Sequence, residues 1–216
     1  MQQLTHFEPP NLKELFLQGT CFLDPEQGTS SFPLQTCFPD RRPVAILWGD
    51  SHAAHHYNGL KNELSAAGYS LGMFTASACT PIIGRAVDGR PFCKDINDFV
   101  LSLINSRKPE IVIVAAFWKP FVMDRLEKTL GLLAQNDISV VVLGNMPILQ
   151  ESVPAYLSRR ADKDIKVSDR SATETAMRAL LQTKKIGNVR YISLQEAACP
   201  AGRCALADKV RASLLF

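Results

Sequence analysis

The sequence predicts a three-layer α/β/α sandwich around a central, mostly parallel sheet. Apolar runs of strand length, Val44–Trp48, Ile111–Ala116 and Ile138–Leu143, are too continuous for strands with a solvated face and suit strands buried on both sides. Stretches of helical length separate them, and strand-helix-strand units cross over right-handed, which places helices on the two faces of the sheet.

The elements follow in order. Residues 1–42 carry Pro9-Pro10, Pro25, Gly28, Thr29-Ser30-Ser31, Pro33 and Pro39 and read as an irregular lead-in packed on the domain of residues 43–216. After Pro43 the strand Val44–Trp48 ends at Gly49-Asp50-Ser51, and a helix is expected from about His52 to Ala67, closed by Gly68. Tyr69–Phe74 is a weaker strand, followed by a loop around Cys79-Thr80-Pro81. A helix over Asp95–Ser106, the strand Ile111–Ala116, a helix over Val122–Gln135 and the strand Ile138–Leu143 continue the alternation. A polar stretch with Pro147 and Pro154 leads to a helix over about Ser168–Lys185 and a last short strand, Val189–Leu194.

Composition narrows the class. With 216 residues, 46% of them hydrophobic, the chain can bury one sizeable core. The 24 basic and 21 acidic residues are interspersed, so no basic stripe points to nucleic acid as a partner. No apolar run reaches the ~18 residues of a membrane span, and no export signal is visible at the start. Six cysteines fall into three local pairs, Cys21 with Cys37, Cys79 with Cys93 and Cys199 with Cys204. They point to disulfides and an oxidising compartment; reduced or metal-bound thiols are the alternative, and no Cys-x-x-Cys supports it. Disulfides without an export signal lead to the expectation that the chain is cut from a longer membrane protein.

Candidate chemistry gathers at the first strand's end. In a doubly wound sheet, Asp50, Ser51 and His52 sit at a carboxyl tip just before a helix, where backbone amides point outward. Ser51 reads equally as a helix cap or as a nucleophile with its own amide for the oxyanion. His52 reads as a site-lining residue or a solvated first-turn residue, while His55 and His56 fit helix surface or core. The three imidazoles have helical ligand spacing, but no further carboxylate or Cys ligand stands nearby, so no metal is assigned.

The run Leu47-Trp48-Gly49-Asp50-Ser51-His52-Ala53-Ala54 resembles block I of the SGNH hydrolases, in the form found in the soluble domain of acyltransferase family 3 membrane proteins. The Cys21–Cys37 lead-in, Ser77-Ala78-Cys79-Thr80-Pro81, Ala115-Ala116-Phe117-Trp118, Leu143-Gly144-Asn145-Met146-Pro147 and the Cys199/Cys204 pair extend the likeness over most of the chain. The resemblance implies a periplasmic O-acyltransferase domain that needs no cofactor. It would move acetyl or similar groups from an acyl donor to a surface glycan such as lipopolysaccharide O-antigen, through an acyl-Ser51 intermediate. Its partner would be the membrane-embedded acyltransferase domain of the same protein.

Two departures qualify the likeness. The oxyanion-hole Asn of the wider superfamily is absent, its place taken by Phe117-Trp118, so Asp50, His52, Ser77, Ala78 and Trp118 become the candidate substrate or oxyanion residues, with Trp118 equally suited to the core. The late Asp-x-x-His block is also missing: no His stands three residues after Asp208, which is expected to be a loop residue, with the catalytic pair falling beyond Phe216. A periplasmic carbohydrate esterase and an inactive glycan-binding domain are the rival expectations.

Overall fold

A computed structural model of the chain describes residues 11–135, 138–148, 164–166, 171–183, 186–200 and 203–205. Pro9-Pro10, Pro154, Asp208 and most of the polar stretch before residue 171 lie outside them.

The lead-in contains a short helix α1 (Leu12–Leu15), strand β1 (Phe22–Leu23) and helix α2 (Leu34–Cys37). Then follow β2 (Val44–Gly49), α3 (Ser51–Ala66), β3 (Ser70–Ala76), α4 (Cys93–Arg107), β4 (Ile111–Ala115), α5 (Met123–Ala134) and β5 (Ser139–Leu143). The remainder is β6 (Asp164–Lys166), α6 (Ser171–Thr183), β7 (Val189–Ile192), α7 (Leu194–Ala198) and β8 (Arg203–Ala205).

The six-stranded sheet has the order β1-β3-β2-β4-β5-β7, and all its pairings are parallel. The expected α/β architecture is therefore present. β6 and β8 form a separate antiparallel pair.

All six residues of β2 are buried, as a central strand covered on both faces requires. Successive side chains on a strand point to opposite faces. Trp48 donates from its indole to Asn97 of α4 at 3.0 Å, whereas a Cβ on Gly49 would stand 2.6 Å from the Ala53 Cβ of α3. Adjacent positions thus assign α3 and α4 to opposite layers. On α5, Leu126, Leu130 and Leu133 repeat at helical spacing and are wholly buried, each contributing roughly 1.5–3 kcal/mol by its removal from water.

One region departs from expectation. The lead-in, read as irregular, supplies the edge strand of the main sheet: Cys21 O accepts from Thr75 N at 3.0 Å and Leu23 O from Ser77 N at 2.9 Å. Both Cys21 and Leu23 are fully buried, so sequestering them fixes this short strand despite its turn-rich surroundings. Among the described residues no helix is long and apolar enough to cross a membrane.

The topology fixes where a ligand can sit. From β2 the chain steps to β3 on one side, then returns past β2 to β4 on the other. The direction of winding reverses at β2, and such a reversal opens a crevice beyond the carboxyl ends of the strands.

Candidate active site

Gly49 ends β2 because nothing larger fits. A Cβ there would lie 1.7 Å from the Ala115 carbonyl oxygen, so only glycine lets the tips of β2 and β4 close together. Asp50 then caps α3: its Oδ1 accepts the His52 N–H at 2.8 Å, while Oδ2 accepts the Phe117 N–H at 2.9 Å. One carboxylate thereby ties the start of α3 to the loop after β4. Burial pushes the Asp50 carboxyl above its ordinary range, against the pull of the N–H groups of Phe117 and His52.

Asp50 is thus the cap of α3, and Ser51 is its first helical residue rather than its cap. Ser51 is part-exposed and lines an open cleft of about 390 Å³. Among the described residues no group is bonded to its hydroxyl. Its N–H is one of the unpaired amides at a helix start, where the helix dipole favours negative charge.

The cleft brings together Asp50, Ser51, His52 and Ala78 from the expected set. His52 packs its ring against Phe117, with centroids 4.8 Å apart. Ala78 is exposed and holds a left-handed φ of 53°, a turn that carries the chain from β3 to the Cys79–Cys93 bridge.

Two expected residues are not brought to it. The Ser77 amide is committed to Leu23 O, and its carbonyl accepts from Arg90 Nε at 3.0 Å, so Ser77 has no backbone donor left for an oxyanion. Trp118 is buried, donates from its indole to Leu143 O at 2.7 Å, and is clamped by Asn145: Asn145 Oδ1 accepts the Trp118 N–H at 2.8 Å and Nδ2 donates to Trp118 O at 3.0 Å. Trp118 is core, and the Asn145 carboxamide is why. A polar side chain two residues past the end of β5 was the sequence signal for Asn145.

His55 is exposed and lies against Phe16 of the lead-in, with ring centroids 4.7 Å apart. His56 is half-buried, and burial first, then His55 and His52, lowers it to about 4, leaving it uncharged near neutrality. Among the described residues no group of three His, Cys, Asp or Glu side chains could hold a metal ion. All six cysteines are paired as Cys21–Cys37, Cys79–Cys93 and Cys199–Cys204.

Sequence reading missed the outer wall of the cleft, formed by Arg85, Val87, Lys119, Phe121 and Val122. These residues come from two loops, one between β3 and α4 and one after β4.

A serine on the first turn of the helix after a central strand, beside the reversal of a wholly parallel sheet, defines a doubly wound α/β domain with its candidate site at the switch point. The chain belongs to the family of SGNH domains fused to AT3 domains, whose model matches residues 19–216. Its fold is similar to that of the Salmonella ser. Paratyphi A lipopolysaccharide acetyltransferase periplasmic domain, with a TM-score of 0.75 and 18% identity over 91% of this chain and 82% of that one. No curated protein matches the chain.

Proposed function

We propose that the chain is the extracytoplasmic acyl-transfer domain of an AT3-type protein, and that Ser51 carries the acyl group on its way to a cell-surface polysaccharide. The observation that carries this reading is the Ser51 hydroxyl beyond the tip of β2, unbonded among the described residues and lining the cleft while Asp50 does the capping. Three disulfides and the described family support an oxidising compartment and a membrane-embedded partner domain in the same protein.

In this mechanism Ser51 Oγ attacks the acyl carbonyl of the donor as a base takes the hydroxyl proton. The oxyanion forms beside the Ser51 N–H, at the positive end of α3. Departure of the donor's leaving group, with the proton, yields an acyl-serine ester. A glycan hydroxyl then attacks that ester, its proton passes to the regenerated Ser51, and the acyl group ends on the sugar. Neighbouring helix positions point about 100° apart, so His52 is not placed as the base for Ser51. The base is assigned outside the described residues.

The test is Ser51→Ala in the complete membrane-fused protein, with O-acyl groups on the purified glycan measured by NMR. Loss of a nucleophile that works with a base should lower transfer by ~10³-fold or more. One observation favours a second reading: among the described residues no imidazole faces Ser51 from across the cleft. Unchanged acylation in Ser51→Ala would remove the covalent mechanism and leave a glycan-binding domain.

A further inference from the structure

The outer wall of the cleft carries two cations that the acyl-serine chemistry does not use. Arg85 lies with its guanidinium 5.6 Å from the Phe121 ring, and Lys119 Nζ stands 5.8 Å from the same ring and 5.9 Å from Phe117. Phe121 is 69% exposed, an unusual outlay of aromatic surface beside a polar opening. Arg85 and Lys119 therefore both stand beside one exposed aromatic ring.

Neither cation has a carboxylate partner among the described residues, although Arg42, Lys94 and Arg178 all do. The carboxylate that lines the cleft is Asp50, which is 4% exposed and already accepts two backbone N–H groups. Among the described residues that line it, the mouth of the cleft is thus positive. An exposed apolar ring with two cations beside it matches a sugar whose C–H face lies on the open part of the ring while an acidic substituent meets the cations.

We infer that the acceptor is an acidic glycan, held by Arg85 and Lys119 through a carboxylate on a sugar that stacks on Phe121. This rests on the proposed acyl-transfer reading and adds the charge class of its acceptor. Arg85 and Lys119 select for the anion, whereas Phe121 contributes to binding of acidic and neutral sugars alike.

The test is calorimetric titration of the 216-residue chain with a hyaluronan hexasaccharide and with its carboxyl-reduced, neutral counterpart. The acidic sugar should bind at least ~10-fold more tightly at low salt, with the advantage shrinking as salt rises. Arg85→Gln, Lys119→Gln and the double variant should cut acidic binding ~3-fold or more and change neutral binding by less, while Phe121→Ala weakens both sugars. Circular dichroism of each variant checks that the fold is intact, and all three side chains sit on the surface wall of the cleft. Equal affinity for the two sugars, no binding of either, or undiminished acidic binding in the double variant would overturn the inference. The Ser51→Ala acylation assay reads a different quantity, so failure of the acyl-serine mechanism and failure of charge selection are told apart.

Discussion

The tips of β2 and β4 lie side by side, and they end in opposite ways. At β2 a glycine allows close approach, an aspartate spends both oxygens on backbone N–H groups, and the next side chain is left facing solvent in the cleft. At β4 the chain turns inward instead: Trp118 fills the space beyond the strand and Asn145 closes over its backbone. Both tips use one buried polar side chain to hold a neighbouring loop, Asp50 for the loop after β4 and Asn145 for Trp118. What differs is the residue presented, a small hydroxyl at one and an indole at the other. A parallel sheet offers potential sites at several strand ends, and here the indole plugs one of them so that the opening falls beside Ser51.

That contrast can be attacked from each side. The largest effect on stability should come from Gly49→Ala, which forces a Cβ against the Ala115 carbonyl oxygen; a loss on the order of 3–4 kcal/mol is expected in urea unfolding. A near-neutral result would show that the two tips are not held by close contact. Asn145→Ala removes two buried hydrogen bonds to the Trp118 backbone and should cost about 2 kcal/mol, accompanied by a red shift in tryptophan fluorescence as the plug loosens. Unshifted emission would mean that Trp118 seals its tip without help.

A smaller effect sharpens the comparison through pH. The open tip belongs to the helix that carries His56, whose value is lowered from 6.5 to about 4 by burial. Between those values the unfolded chain binds a proton that the folded chain refuses, so stability falls as pH drops from about 6.5 to about 4. His56→Gln should flatten this limb by on the order of 1–2 kcal/mol, read from urea midpoints at neutral and mildly acid pH. An unchanged slope would place the acid sensitivity elsewhere.

The sequence made the central frame readable because burial on both faces leaves long apolar runs: the strand expected over Val44–Trp48 is β2, and the helix expected over His52–Ala67 is α3 within one residue at each end. β1 escaped because two residues carry no periodicity, and it exists through bonds to Thr75 and Ser77 far along the chain. Trp118 was ambiguous for a physical reason, since an indole suits a binding wall or a core, and the partner that decides it lies on another strand end. Ser77 was placed in the site as a replacement oxyanion donor from the family-like run Ser77–Pro81, but its amide is taken by the edge strand. The cleft wall was invisible because Arg85, Lys119 and Phe121 meet only once the two loops fold toward each other.

The Cys79–Cys93 bridge spans a sequence separation of 14 and anchors both ends of the segment that bears Arg85 and Val87. Arg85 and Val87 thus sit on a segment tied down separately from the strand tip that carries Ser51. Under the proposed acyl-transfer reading, a fixed serine beside a separately anchored wall would let the acceptor change by substitutions in the wall alone.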